Sequence, residues 1–421
     1  MARRRILTDV TPLRRFPQFK RLWSGQLVSV LGTQLTVVAV PYQLYRATHS
    51  SFDVGLLSLA QLGPLLAGSV IGGSIADAAD RRRLLLVTQT LLAATSVGLA
   101  VNATLVHPAI WPLFVMTGLA AGLSGVDSPT RSAVFAGLVD RRSFASAAAL
   151  NQMVFQVGGV VGPALAGILL GQFGLGPVYW VDVATFGVAL LAVAGLDPLP
   201  PGEGSAKFGL SSIAEGFSYL RGRQALQATF VIDLDAMVFG MPRALFPALG
   251  LGRFGGGAGV VGLLYAAPGA GALLASLLTG WVGGVRRQGR AVVVAVVVWG
   301  LAITAFGFAY WLPLALGFLA LAGAADVVSA VFRNTILQLS VPDVLRGRLS
   351  AIHIAVVTGG PRLGDTEAGA VAALLGNQVS VISGGLMCVA GALVIGSLMP
   401  ALARYDAHQH LDGGEDAGAK P

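Results

Sequence analysis

Twelve apolar stretches, each long enough to cross a bilayer as a helix, run along this 421-residue chain, and the arginines between them fall in alternate gaps. A hydrocarbon core requires about 20 apolar residues per helical span. Val54 to Ile75 and Leu84 to Leu105 meet that requirement on either side of Gly72-Gly-Ser-Ile-Ala-Asp77-Ala-Ala-Asp-Arg81-Arg82-Arg83, so this run is a tight turn between two transmembrane helices. Hydrophobic residues make up 55% of the chain and charged ones 11%, against roughly 25% charged in a soluble protein. The formal charge of +8 is therefore topology and not a nucleic-acid footprint.

The spans fall near 22–45, 54–77, 83–105, 109–131, 143–170 and 177–197, then near 222–249, 258–281, 290–310, 312–337, 348–373 and 376–403. Arg3 to Arg5, Arg14, Arg15, Lys20 and Arg21 precede the first span. Arg81 to Arg83, Arg141, Arg142, Lys207, Arg221, Arg223, Arg286, Arg287, Arg290, Arg346, Arg348, Arg404 and Lys420 continue in alternate loops or at the end, and the opposite gaps hold only Arg46 and Arg253. Basic loops stay cytosolic, so both termini are expected in the cytosol of a multi-pass cell-membrane protein. The long basic flank and the absence of a small-residue cleavage site exclude a signal peptide. The single cysteine, Cys388, excludes an internal disulfide and reads as a small packing residue in the last span.

Four regions follow. Residues 1–198 form an all-α six-helix half and 222–406 a second one. Between them, 199–221 is a cytosolic linker, broken by Pro and Gly, in which the capping-box spacing Ser212 to Glu215 predicts a short interfacial helix. Residues 407–421 have no apolar period and read as a disordered tail. The halves repeat: Arg131-Ser-Ala-Val-Phe aligns with Arg333-Asn-Thr-Ile-Leu at a shift of 202, which also carries Leu150 onto Ile352. Gly280-Trp-Val-Gly-Gly-Val-Arg286 is a degenerate second copy of the basic turn at Gly73. Internal repeats of this kind place a substrate site between the halves.

Gly73, Asp77 and Arg81, spaced by four, resemble the loop signature of the major facilitator superfamily of transporters. The segments His49-Ser-Ser-Phe-Asp-Val-Gly-Leu, Leu245-Phe-Pro-Ala-Leu249, Val261-Gly-Leu-Leu-Tyr-Ala-Ala267 and Leu337-Gln-Leu-Ser-Val-Pro-Asp-Val-Leu-Arg-Gly-Arg-Leu349 narrow the likeness to the enterobactin exporter family, which also contains macrolide and multidrug efflux proteins. The likeness runs from Phe16 to about Leu402. It implies a major facilitator fold of 12 helices in two pseudo-two-fold halves. It also implies that Asp77 and Arg81, with Asp127 as a third member, latch the cytosolic side in an outward-open state. This chain departs from the usual signature with Ala78 and Asp80, and an acidic residue at the latter position also occurs in the enterobactin exporter. Gly158, Gly162, Pro163 and Gly167 resemble a glycine-proline motif of antiporters, with Ala166 replacing one family glycine. Small residues there allow close helix approach and Pro163 permits a bend.

Charges inside spans cost a few kcal/mol near mid-membrane unless paired or wet, and are functional candidates for that reason. Asp127 and Arg131, four apart, can pair on one helix face; Arg362 and Asp365 can do likewise. Asp326 and Arg333 share a face two turns apart. Asp233 and Asp235 cannot face one cavity, because neighbours two apart on a helix diverge by about 200°. Proton coupling needs a buried carboxylate, for which Asp233, Asp235, Asp326, Asp365 and Glu367 are the candidates. Asp182 reads as interfacial, and His353 as a solvated residue near the cytosolic end. The stretch Thr358 to Gly369 reads as an interruption of the eleventh span and so points to the substrate cavity, with Arg362 suited to an anionic ligand. Gln34, Tyr42, Asn151, Gln156 and Asn334 add polar or aromatic groups for a cavity. Gln152, Tyr265 and Gln338 do the same.

No phosphate-cradling loop and no metal-ligand spacing among five histidines points to an ATPase, an enzyme, a cofactor or a metal site. The expected function is export of a small amphipathic metabolite, a siderophore or drug-like compound, by proton antiport and alternating access in a monomer. Macrolide or multidrug efflux without a siderophore role, nutrient uptake, and a non-transporting sensor or assembly partner are the alternatives.

Overall fold

Long apolar sequences fold as helices in a bilayer because every amide is then satisfied within the segment. The computed structural model describes residues 9–198, 218–278 and 284–406, and among them it contains helices and turns without a strand. A short α1 (Thr11–Arg15) leads into α2 (Pro17–Thr48), α3 (Ser51–Ala78), α4 (Arg81–Thr104), α5 (Trp111–Gly137), α6 (Phe144–Phe173) and α7 (Leu175–Ala194). The second series is α8 (Gln224–Phe239), α9 (Gly257–Leu277), α10 (Gln288–Phe308), α11 (Leu312–Ser340), α12 (Asp343–Leu375) and α13 (Asn377–Leu398). Among the described residues ten segments are long and apolar enough to cross a membrane, and α5 and α12 fall outside that set. Leu191, 77% exposed, belongs to an outer shell of bare Leu, Val and Phe side chains suited to lipid. The Ser212 to Glu215 helix, Lys207, the start of the turn at Gly280, the tail from residue 407 and the side chain of Asp77 lie outside the described residues.

Two spans differ from their expected form. The seventh is not one helix: α8 ends at Gly240, and the chain continues through a 3-10 turn (Arg243–Leu245), a single helical turn (Phe246–Ala248) and a π-turn (Leu249–Arg253). Pro242 and Pro247 deny two amides to a continuous helix. The freed Gly240 carbonyl is met by Trp299 Nε1 at 2.8 Å. Conversely, the eleventh span is unbroken, with α12 passing through Pro361. Its glycines are close-packing positions: a Cβ at Gly364 would stand 2.4 Å from the Met237 carbonyl, and one at Gly369 would stand 2.7 Å from the Ser51 carbonyl.

The chain groups into two compact units. The first comprises Met1–Thr48, Ala60–Phe208 and Gly256–Ala266. Within it α2 packs on α6 and α7, and α4 on α5 and α7. Phe19, Leu22, Leu85, Val134, Phe135 and Leu150 form a core at the basic-loop end, with the Phe19 and Phe135 rings edge to face at 5.4 Å. The rest of α3 lies on α5 through glycines, since a Cβ on Gly68 would stand 2.0 Å from the Gly122 carbonyl. Arg15 reaches Asp140 at 3.3 Å. The Ser143 hydroxyl, then its amide at 2.7 Å, holds the Asp140 carboxyl below the usual carboxylate range.

Asp80 caps α4 by accepting the Arg83 amide at 2.9 Å. Asp80→Ala removes that acceptor and is expected to cost about 1 kcal/mol, seen as a lowered melting temperature in detergent. Asp80→Asn, which keeps an acceptor, should melt close to the parent.

The second unit comprises His49–Leu59, Gly209–Gly255 and Ala267–Pro421. Its pairing repeats the first: α8 packs on α12 and α13, and α10 on α11 and α13. Helix α9 meets α11 at Gly271, where a Cβ would fall 1.7 Å from the Ala320 carbonyl, and at Gly323, where one would fall 1.9 Å from the Pro268 carbonyl. The repeat extends to single turns. Gly174 (φ 78°) joins α6 to α7 and Gly376 (φ 88°) joins α12 to α13, both in the left-handed region that favours glycine.

Candidate functional site

In the first unit, α5 carries Asp127 and Arg131 one turn apart, and they form a buried ion pair: Arg131 Nη2 and Nε lie 2.9 and 3.0 Å from Asp127 Oδ2. The other carboxylate oxygen accepts from Thr88 Oγ1 at 2.8 Å and Gln89 Nε2 at 2.9 Å, both on α4. An ion pair with its remaining lone pairs met by neutral donors is the arrangement that makes buried charge tolerable. Arg82 donates to the Ala194 carbonyl at 2.6 Å and Arg21 to the Gly195 carbonyl at 2.9 Å, tying the start of α4 and α2 to the end of α7.

The glycine-proline stretch of α6 works through space. A Cβ on Gly162 would strike the side chain of Gln34, which therefore lies in the groove that Gly162 leaves. One turn further, Gly167 meets the start of α9: a Cβ on Gly262 would stand 2.6 Å from both the Gly167 Cα and the Pro163 carbonyl. Tyr42 is buried under Arg46, with the guanidinium 5.8 Å from its ring. Asn151 and Gln156 sit half-buried on α6, the former with Oδ1 unpartnered among the described residues.

Asp182 is buried in protein. It is 1% exposed, with Oδ2 accepting from Thr36 Oγ1 on α2 and Ser96 Oγ on α4, each at 2.8 Å. Near the start of α7 (Leu175–Ala194) the carboxylate is covered by α2 and α4, a contact that its place along the span does not reveal.

In the second unit, three separated charges converge. Arg333 of α11 places Nη1 2.5 Å from Asp233 of α8 and Nη2 3.9 Å from Asp326, two turns back on its own helix. Arg333 and Asp233 are almost wholly buried, and Asp326 keeps 29% of its side chain exposed. Asp233 was reachable as a lone candidate, but only packing joins it to Arg333. Asp235 turns the other way, its carboxylate filling the space left by Gly391 of α13. His353 is half-buried against Phe230, with the rings 6.3 Å apart, rather than solvated.

Asp365 and Arg362 do not pair. Asp365 accepts from Ser58 Oγ of α3 at 2.8 Å and from the Ala244 amide at 3.0 Å, so it anchors the broken seventh span. Arg362 Nη1 donates to the Thr358 carbonyl at 2.6 Å, across the turn where Pro361 supplies no amide. Glu367 is half-buried on α12 and Asn334 is exposed on α11. The stretch expected to be a break is a second glycine-proline element: Gly360-Pro361 of α12 lies on Met237 of α8, as Gly162-Pro163 of α6 lies on Gln34 of α2. The recurrence of Gly-Pro at corresponding places in the two halves was the signal in the sequence.

The model of the transmembrane secretion effector family matches residues 7–413. The enterobactin exporter EntS of Citrobacter koseri is 28% identical over 407 residues, covering 96% of this chain and 97% of that protein. EntS of Escherichia coli O1:K1 is 27% identical over 394 residues, 93% of each. In fold, the chain is similar to the nucleoside transporter NupG (TM-score 0.72, 12% identity, 92% of this chain and 100% of that one). It is likewise similar to a D-xylose-proton symporter (TM-score 0.71, 14% identity, 93% and 100%). With helices, pairing and repeat in agreement, this multi-pass membrane transporter belongs to the transmembrane secretion effector family of the major facilitator superfamily.

Proposed function

We propose that the chain is a secondary active exporter of a small amphipathic metabolite, a siderophore or drug-like compound, coupled to inward proton movement by alternating access. The observation that carries the coupling is the buried cluster of Asp233, Asp326 and Arg333. Two carboxylates stand at ion-pair distance from one guanidinium, with Arg243 also acting on Asp326, so loading or releasing a single proton changes the balance of the cluster. Partial exposure of Asp326 gives that proton a route. The EntS relatives support export of a siderophore-like cargo.

In this reading residues 1–198 and 222–406 are the two moving halves, 199–221 the cytosolic linker and 407–421 a tail, with both termini cytosolic and the protein working as a monomer. Asp77, Arg81, Asp127, Arg131 and Gly73 act at the cytosolic gate, and Gly158, Gly162, Pro163 and Gly167 form the antiporter-like interface. Asp235, Asp365 and Glu367 are secondary coupling candidates. Arg362, Gln34, Tyr42, Asn151, Gln156 and Asn334 are candidates for the cargo cavity.

Purified protein in proteoliposomes should acidify or alkalinise the lumen on addition of a catecholate siderophore or a macrolide, and Asp233→Asn should abolish that flux. Absence of cargo-dependent proton movement with every siderophore and macrolide tried, together with parental behaviour of Asp233→Asn, would defeat the proposal.

A further inference from the structure

Of the three almost wholly buried carboxylates among the described residues, Asp127, Asp182 and Asp233, it is Asp182 that has no cation. Asp127 is bound to Arg131 and Asp233 to Arg333, but no Lys, Arg or His among the described residues comes within salt-bridge distance of Asp182. The helices around it supply none. On α4 no charged residue follows Arg83, and α6 has no titratable side chain. The other titratable group of α7 is Tyr179, whose hydroxyl donates to Gln43 Oε1 at 2.7 Å. On α2 the basic residues Lys20, Arg21 and Arg46 and the phenols Tyr42 and Tyr45 stand toward its two ends, and Asp127 and Arg131 of α5 are engaged with each other.

The site is also built. Gly32 of α2 lets its backbone close over the carboxyl, since a Cβ there would stand 2.0 Å from Thr185 Oγ1 and 2.7 Å from Asp182 Oδ1. Thr36 and Ser96 both donate to Oδ2, and Thr185 turns its hydroxyl to the Asp182 carbonyl at 2.7 Å. Oδ1, in a residue 1% exposed, accepts no hydrogen bond of good geometry, because the Thr185 hydroxyl beside the carboxyl is turned to the backbone carbonyl. An ionised carboxylate buried this fully costs a few kcal/mol without a positive charge beside it, and hydroxyls supply dipoles but no charge.

We propose that Asp182 is the seat of a bound monovalent cation, a proton or a sodium ion, held inside the first unit between α2, α4 and α7. The open Oδ1 suits a proton; the carboxylate and two hydroxyl oxygens suit a hard cation such as sodium. This ion is distinct from the one assigned to the Asp233 cluster. It does not depend on which solute is carried, or on whether the Asp233 cluster couples protons.

The test reads occupancy and not flux. In the protein reconstituted in nanodiscs at neutral pH without sodium, the infrared difference between parent and Asp182→Asn should contain the carbonyl band of a protonated carboxyl. Ser96→Ala, which keeps the carboxyl and removes one donor, should shift that band toward weaker hydrogen bonding. If sodium is the ion, replacing choline chloride by sodium chloride should raise the parent's melting temperature by several degrees and leave Asp182→Asn unmoved. An ionised carboxylate band in sodium-free buffer, with no sodium-dependent stabilisation in either the parent or Ser96→Ala, would overturn the proposal.

Discussion

Arg333→Met is expected to stop transport and to destabilise the protein by about 3–5 kcal/mol, because it leaves Asp233 and Asp326 facing each other without their shared cation. Methionine keeps much of the stem's volume, so the loss measures charge rather than packing. Adding Asp233→Asn to Arg333→Met should recover a large part of the melting temperature, since it neutralises the carboxylate whose ion-pair partner is gone, while transport stays lost if the cluster carries the coupling proton. A single Arg333→Met protein with parental melting and parental flux would show that the cluster is neither structural nor coupled.

Gly271→Val should be among the most damaging glycine replacements. Its Cβ would fall 1.7 Å from the Ala320 carbonyl, a backbone atom that cannot swing away, so α9 and α11 must separate. Overpacking of this kind costs about 1–3 kcal/mol and more when backbone must move, and small residues are what let membrane helices approach. The expected result is loss of folded protein on detergent extraction, or a melting temperature many degrees lower. Gly317→Ala on α11 is the control: nothing lies within 4 Å of the added carbon, and alanine favours helix by about 1 kcal/mol over glycine. Equal melting of the two variants would refute the close approach of these helices.

The same contrast explains how much of the molecule could be read in advance. Helix positions were legible to within a few residues because apolar length is a one-dimensional property: the span expected at 312–337 is α11, Leu312–Ser340, and the one at 290–310 is α10, Gln288–Phe308. Arg131 and Arg333 were paired as repeats by sequence, and both prove to be buried and ion-paired. Glycines and prolines were less legible. Thr358 to Gly369 has the composition of a break, yet it is helical because its glycines give up side chains for close approach to Met237, Val238 and Ser51. The true irregularity lies at Gly240–Arg253, where Asp365 and Trp299 take up backbone groups from distant parts of the chain.

The sequence alone therefore determined that this is a multi-pass helical protein made of two related halves, because those facts follow from hydrophobic length and self-similarity along the chain. Only the tertiary structure decided which charges meet. Asp182 and Asp233 are both carboxylates in apolar helices, but a neighbouring helix brings Arg333 to one of them and only hydroxyls to the other. Charge balance in a medium without water depends on what stands within a few ångströms, and that distance is set by helix packing rather than by spacing along the chain.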